Sequence, residues 1–435
     1  MRHIHLFLIL FFLLSACHSE KKQSEMINHS AEIIQITPDF NIGTGMNLSS
    51  FVKSIDFIPL ETTDECLLRG IGKAAIYGDY IHVVDEPDYR SPCVYQFNKS
   101  GKFIRQIGSK GEGPEEFVEM RGFVLDKDGN ICICDGVRKK ILTYKSDGTF
   151  LHSINTYYTC DNFEYSDGYY YLYRYYLDDY GKIRVLDSSG KELCKYLERP
   201  KYSISLGGSQ VTKTTENEVL CYEALNDTIY SFDGESMKAK YIFDFGKYSL
   251  PLTVKNQYME AMAKNKPLAV RLDIIDDYIT EASNIWETEN RLFFSVVKNS
   301  ITYFGVYDKR SKSKDVKLQT SFNDDLYYIT GLGERFVGIA LGNSLIACQN
   351  ANYIKSVIEK NLYADVQKGK LTLAKCDSIT DFFSRYLPIN KEKQKNTLNS
   401  TDKGEKKKTL AEIFSEMYGD GEELNPMLMI IHFKD

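Results

Sequence analysis

Residues on which catalysis commonly rests are scarce in this chain of 435 residues. Histidine occurs seven times; His82, His152 and His432 fall on stretches that read as strands, and no Gly-x-Ser-x-Gly sequence is present, which removes the nucleophile-elbow hydrolases. Beyond the N-terminal stretch no segment is long and apolar enough to cross a bilayer. Positive charge is not in excess either: 54 Lys and Arg stand against 60 Asp and Glu, a formal net charge of −6, and the charges are scattered, which argues against a nucleic-acid partner. Cysteine is present without order. Of ten cysteines, setting Cys17 aside leaves an odd number with no regular spacing, so no disulfide framework is expected. Cys132 and Cys134 sit two apart on one strand face, unlike a zinc knuckle, and read as small buried apolar residues.

What is present starts at the N-terminus. Arg2 and His3 precede the apolar run Leu6 to Leu14, which leads into Leu14-Ser15-Ala16-Cys17. The run is too short to span a membrane, and small residues precede the cysteine as a signal peptidase requires. This start resembles that of bacterial lipoproteins, which implies cleavage after Ala16, acyl chains on Cys17 and stable membrane attachment, since several chains hold a protein where one does not. Residues 1–16 are therefore expected to be a signal peptide, 17–47 a lipidated anchor and tether, and 48–435 the folded domain. Ser19 to Ser30 is too polar to fold by itself. The implied location is the cell envelope, as an outer-membrane lipoprotein on the periplasmic or the surface side.

A strand, turn and strand phrase recurs: Val94 to Phe103, Leu142 to Phe150 and Val185 to Lys191. In each, alternating apolar residues lead to polar residues and a glycine, Gly101, Gly148 or Gly190, which supplies the positive φ of a hairpin turn. The copies lie about 40 to 50 residues apart, the period of four-stranded propeller blades. Further strands, among them Ile81 to Asp85, Ile131 to Asp135, Tyr169 to Arg174 and Arg291 to Ser295, precede the hairpins. Together they outline units near 71–108, 119–155, 160–197, 207–246 and 276–318. A sixth unit is expected from Leu326 to Ala340, completed by Phe51 to Ile58 and Met427 to Phe433 from the two ends of the chain, which closes the ring and removes open edges.

The run Phe103 to Leu151, with Gly108-Ser109-Lys110-Gly111-Glu112-Gly113-Pro114 and Met120 to Ile131, resembles the NHL repeat. The cysteine start, Ile58-Pro59-Leu60-Glu61-Thr62 and Asn425-Pro426-Met427-Leu428 are similar to a family of six-bladed propeller lipoproteins of Bacteroides-like bacteria. The resemblance implies an all-β, six-bladed β-propeller at the envelope and no particular activity. Helical insertions are expected in the C-terminal half, around Tyr258, Met259, Met262 and Ala263 and around Ile354, Val357, Ile358 and Leu362. Lys391 to Lys408 reads as a disordered loop before an amphipathic helix carrying Leu410, Ile413, Phe414 and Met417.

Gly108 to Pro114 is no phosphate loop, because Pro114, Glu115 and Glu116 lead to a strand where a P-loop needs Gly-Lys-Ser/Thr and a helix. Asp85 and Asp135 end equivalent strands and read as caps of backbone amides in the following turn. The loops after those strands emerge on one face and carry aromatic and charged residues, which points to Tyr89, Arg90, Arg121, Arg138 and Tyr176 as contacts to a glycan, peptide or protein. No cofactor, metal or catalytic residue is assigned. The expected role is a ligand- or protein-binding module, with a lactonase-like hydrolase or lyase at the central channel and a structural subunit of an envelope complex as alternatives.

Overall fold

A computed structural model describes residues 31–37, 40, 45–85, 93–174, 182–197, 210–234, 236–299, 301–312, 316–328, 336–340, 342–390 and 424–435. Among them, strands β1 (Glu32–Thr37), β2 (Gly45–Asn47) and β3 (Val52–Pro59) precede the first blade, β4 (Lys73–Tyr77), β5 (Tyr80–Val84), β6 (Val94–Asn98) and β7 (Phe103–Ile107). The second blade is β8 (Met120–Leu125), β9 (Ile131–Asp135), β10 (Lys140–Tyr144) and β11 (Phe150–Asn155), and the third is β12 (Asn162–Ser166), β13 (Tyr169–Tyr173), β14 (Ile183–Asp187) and β15 (Glu192–Tyr196). The fourth is β16 (Gln210–Lys213), β17 (Val219–Tyr222), β18 (Thr228–Asp233) and β19 (Ser236–Asp244). Helices α1 (Leu252–Ala263) and α2 (Leu268–Ile275) lead to a three-stranded sheet, β20 (Glu281–Glu287), β21 (Arg291–Lys298) and β22 (Ile301–Asp308). After the short strands β23 (Val316–Lys317) and β24 (Ser321–Asn323), the last blade pairs β25 (Phe336–Ala340), β26 (Ser344–Gln349), β27 (Met427–Phe433) and β3 in that order.

The repeat period thus gives a mostly-β propeller, and the terminal strands close its last blade as the sequence predicts. The expectation of six four-stranded blades is corrected. Five sheets have four or more strands, and the 276–318 unit has three. Its chain continues past β22 into β23, which pairs in parallel with β1 at Ile36 and Thr37, so the position of an outer strand is met only by the bridge between Phe304 and Gln319. Residues 32–37, within the stretch read as tether, form β1 because Ile34 and Ile36 are buried against the fourth blade, where β1 runs parallel to β19.

Period-2 alternation explains how the blades stack. On β9, Ile131 and Ile133 join the core shared with the first blade, while Cys132 and Cys134 join the core shared with the third. Both faces of the strand are covered, so the strand is apolar throughout. Truncating a fully buried ring such as Phe123 to alanine costs about 3–5 kcal/mol in such a core.

The hairpin phrase joins the third and fourth strands of a blade. Asn98 Oδ1 accepts from Ser100 N at 3.0 Å and Lys102 N at 2.9 Å, and Asp187 does the same for Ser189 and Lys191. Gly101 holds φ +83°, and a Cβ there would lie 1.9 Å from the carbonyl oxygen of Pro59. Only glycine fits.

Helices occur at both places their apolar spacing predicts, and two more, Leu268–Ile275 and Leu373–Phe383, were not predicted. Tyr258 and Met259 of α1 are buried, and α3 (Ala351–Ser356), a π-helical turn (Val357–Asn361), α4 (Leu362–Gln367) and α5 (Leu373–Phe383) bury Ile354, Ile358 and Phe383 against the last blade. The expected disordered loop and the helix at Leu410 to Met417 lie outside the described residues. Cys132 and Cys134 are both buried, as read, Cys132 with its sulfur 3.4 Å from the Tyr170 hydroxyl and Cys134 with its sulfur against that of Cys160.

Candidate ligand site in the central channel

The first strand of every sheet lies innermost, and β25, β4, β8, β12 and β16 stand side by side around an axis, with β20 next to β16. Between them is a cavity of about 400 Å³ to which all six contribute, at the end where first strands turn into second strands. A strand at the axis turns one face inward, so alternate residues become its lining. Apolar groups dominate the wall, with Ile76, Tyr77, Val124, Leu125, Tyr165 and Ile339 among them, and it also carries Trp286, the single tryptophan of the chain. Trp286 packs edge-on against Phe336, ring centroids 6.3 Å apart.

Three charged groups from the inner strands line the cavity. Lys73 Nζ lies 2.7 Å from Glu164 Oε1, and Glu164 is buried. Lys213, from β16, completes the group. Its ammonium makes no hydrogen bond or ion pair among the described residues. Burial holds the Lys213 pKa below the ordinary lysine value, and Lys73 adds to this, while Glu164 and Asp167 oppose it. Thr215, in the turn after that strand, has a hydroxyl oxygen that is buried without a partner. Asp126 also lines the cavity but is committed to its own turn, accepting from Asp128 N and Asn130 N at 2.9 Å. Tyr165 is pushed up by burial and stays a neutral phenol.

Of the residues singled out in the sequence, Arg121 and Arg138 lie elsewhere. Tyr89, Arg90 and Tyr176 fall outside the described residues. Arg121 opens β8 at the other end of the channel, with ion pairs to Glu119 at 3.1 Å and Asp161 at 3.6 Å. Arg138 clamps the Gly108 to Pro114 segment, donating to the carbonyls of Gly113 at 2.7 Å, Glu116 at 3.2 Å and Glu112. That segment is an inter-blade crossing as predicted, and its amides at Gly111 and Gly113 are taken by Phe117 O and the Glu116 carboxylate. Asp135 caps amides of the following turn, Val137 and Arg138 N, as read, and also accepts from Val118 N and Glu119 N before β8, whereas Asp85 accepts from Arg69 N and Gly70 N, ahead of β4. Arg121 and Arg138 therefore share a blade without meeting the channel cavity.

A hydrogen-bonded chain, Ser344 Oγ to His432 Nδ1 and His432 Nε2 to Asp56 Oδ2, both 2.9 Å, crosses three strands of the last blade. It has the composition of a catalytic triad, but the ring nitrogens are used in the reverse sense and Ser344 is 4% exposed. It is a cross-strand clamp. Among the described residues no group of three or more His, Cys, Asp or Glu side chains could hold a metal ion, and no helix is long and apolar enough to cross a membrane.

Sequence reasoning missed Lys73, Glu164, Lys213 and Trp286. The usable signal was a charge inside an otherwise apolar inner strand, as in Phe163-Glu164-Tyr165, where a core position would tolerate none.

These features define a β-propeller with a polar-spotted cavity on its axis. The chain belongs to the family described as a domain of unknown function (DUF4934), which matches residues 31–381. It is similar in structure to a protein of Bacteroides fragilis NCTC 9343 named as an exported protein, with TM-score 0.62, 20% identity, and coverage of 93% of this chain and 100% of that one. A DUF4221 family member of Bacteroides vulgatus is more distant, at TM-score 0.40 and 11% identity over 59% of this chain and 82% of that one. Virginiamycin B lyase of Staphylococcus aureus is more distant again, at TM-score 0.34 and 12% identity over 59% and 71%. No curated protein matches the chain. At these identities the likeness concerns the fold alone.

Proposed function

We propose that the protein is a binding module of the cell envelope, tethered through a lipidated Cys17, that takes a small ligand into the central channel. The three-stranded sheet then serves as an incomplete sixth blade. The observation that carries this reading is the cavity of about 400 Å³ shared by the six inner strands. That volume lies in the range of small-molecule sites, and the mixture of an apolar wall with a few polar groups is what such sites use for affinity and orientation. It fits a sugar unit or a short peptide fragment. An exported protein among its structural neighbours supports placement outside the cytoplasm.

Binding is favoured over catalysis by how two of the three lining carboxylates are held, the third, Asp167, standing at the rim. Glu164 already bonds Lys73 and Asp126 is locked in its turn, so neither is poised for proton transfer to a substrate. Trp286 supplies an intrinsic probe. Titration with envelope-glycan fragments and short peptides is expected to shift Trp286 emission, and Ala340→Phe, which fills the cavity, is expected to abolish the shift while leaving the fold intact. If no compound changes the emission of the folded protein, the reading is wrong.

A further inference from the structure

Resting on the Cys17 attachment within that reading, and independent of the channel, we infer that helix α2 is a second membrane contact, whose outward side chains lie in the lipid interface of the bilayer to which the chain is tethered. The helix reads Leu268-Ala269-Val270-Arg271-Leu272-Asp273-Ile274-Ile275, and six of these eight residues are apolar. A helix apolar on nearly every side belongs in an interior, yet this one fully buries only Ile275, which packs with Tyr258 and Met259 of α1. Leu268 is 58% exposed, Val270 47% and Leu272 46%, and Leu252 at the start of α1 is 71% exposed. Single exposed leucines are ordinary. Four large apolar side chains within one excursion of the chain, with Leu268 and Leu272 one turn apart on the same helix face, form an apolar surface that nothing among the described residues covers.

What covers it follows from where the tether ends. Fourteen residue steps separate Cys17 from Ala31, where the described chain begins, and they span at most about 50 Å. That is less than the roughly 55 Å breadth of a compact body of about 400 residues, so the flank that receives the tether has to face the bilayer. β1 fixes that flank on the fourth blade, where it runs parallel to β19. The same strand lies against the turn 246–248 that leads from β19 into α1, and Phe40 beyond it meets Tyr248 edge-on with ring centroids 4.9 Å apart. Tether and apolar helix therefore share one flank. Residues 252–277 carry four cations and four carboxylates, and Asp273 is itself exposed on α2, so the contact rests on apolar insertion and does not select anionic lipid. Four side chains fall short of the about 800 Å² a side that a stable dimer uses. They suffice as a second signal beside an acyl anchor, which holds them at the surface at high effective concentration.

The test takes the acylated protein from membranes into phosphatidylcholine vesicles, with Leu272→Trp as reporter and brominated phosphatidylcholine as quencher. Brominated lipid is expected to quench the reporter variant at least about twofold more than the wild-type protein, whose single tryptophan, Trp286, stands in the channel wall. Aqueous iodide is expected to quench it less than the same variant without acyl groups. A second arm uses the mature chain with Cys17→Ser, which carries no lipid. It is expected to sediment weakly with the same vesicles, equally at low and high salt, and the paired changes Leu268→Asp and Leu272→Asp are expected to lower that partition at least about tenfold. Both side chains are exposed, so the thermal melt of the paired variant should be unchanged. If the unacylated chain is too weakly held to sediment, the reporter decides.

A reporter open to iodide and untouched by brominated lipid, in a protein held on the vesicles by its acyl chains, overturns the inference and leaves the anchor standing. Partition of the Cys17→Ser chain that needs anionic lipid or is lost in salt overturns it in favour of an electrostatic contact. Self-association of that chain, abolished by Leu272→Asp, overturns it in favour of an interface between copies. A mature protein whose mass shows no acyl groups but whose partition depends on Leu268 and Leu272 removes the anchor and keeps the contact, and with neither acyl mass nor partition both fall. The channel reading is decided separately, by its own ligand titration.

Discussion

His82 Nε2 lies 3.0 Å from Gln96 Nε2 in the interior of the first blade, and both residues are fully buried. The amide donates to the ring, which therefore has to be neutral. Burial lowers the His82 pKa to about 4, only partly opposed by a backbone hydrogen bond at Ala75. The unfolded chain takes up the proton near pH 6.5. Above that pH neither state is protonated and the group has no effect. Between pH 6.5 and 4 the unfolded state binds more protons, so stability falls as pH falls, by a total on the order of 3 kcal/mol. Denaturant unfolding across this window should show that loss, and His82→Gln should flatten the slope. An unchanged slope in the variant would assign the acid sensitivity to other groups.

Asp135 predicts a different kind of loss. Its carboxylate accepts from four backbone amides on two loops, and Asp85 holds the matching loop of the first blade through Arg69 N and Gly70 N. Asp135→Ala leaves those amides in a buried site without acceptors, at a cost of about 2–4 kcal/mol. Asp135→Asn keeps one oxygen acceptor and should recover part of it. Equal destabilisation by both variants would show that charge, not acceptance, is what matters.

How far the sequence carries depends on whether a feature is local. The hairpin at Asn98 to Lys102 could be read directly, because an amide-capping side chain and a glycine with positive φ act over five residues. The Asp135 contacts to Val137 N and Arg138 N were legible for the same reason, whereas Asp85 reaches back to Arg69 N and Gly70 N. The closing strand β27 was legible because an apolar run at the end of a ring fold needs a partner. The missing outer strand of the 276–318 unit was not, since it depends on whether β23 pairs with β22 or with β1, a choice made by distant residues. Nor was the channel site. Lys73, Glu164 and Lys213 lie 91 and 49 residues apart in sequence, and only the closed ring brings them to one axis.

Glu287 sets a prediction at the joint between the fourth blade and the three-stranded sheet. It is wholly buried and bonds Lys240 Nζ at 2.9 Å, Lys309 Nζ at 2.7 Å and the Tyr241 hydroxyl at 2.9 Å. Glu287→Gln removes the buried carboxylate shared by two ammonium groups and leaves Lys240 with Glu218 and Lys309 with Glu216. Removing one partner of a buried pair costs about 3–5 kcal/mol. Chemical denaturation should register that loss. If the midpoint is unmoved, Lys240 has redirected to Glu218, its other carboxylate partner, and the joint is held by packing.

Ring closure gives the last prediction. β27 sits between β26 and β3, pairing with residues 344–349 on one side and 52–59 on the other, so the last blade is assembled from both ends of the described chain. Met427, Leu428, Met429, Ile431 and Phe433 are buried there, and Phe433 stacks against Phe51 and Phe293. Deleting 427–435 opens two strand edges and exposes that apolar surface, a combination that drives aggregation. The truncated chain should be recovered as soluble aggregate or inclusion bodies, whereas Lys434→Ala, which removes only the contact to the Ser49 carbonyl, should remain monodisperse in size-exclusion chromatography. A truncated chain that stays monomeric with native ellipticity would mean that the ring is held by its inter-blade cores without closure.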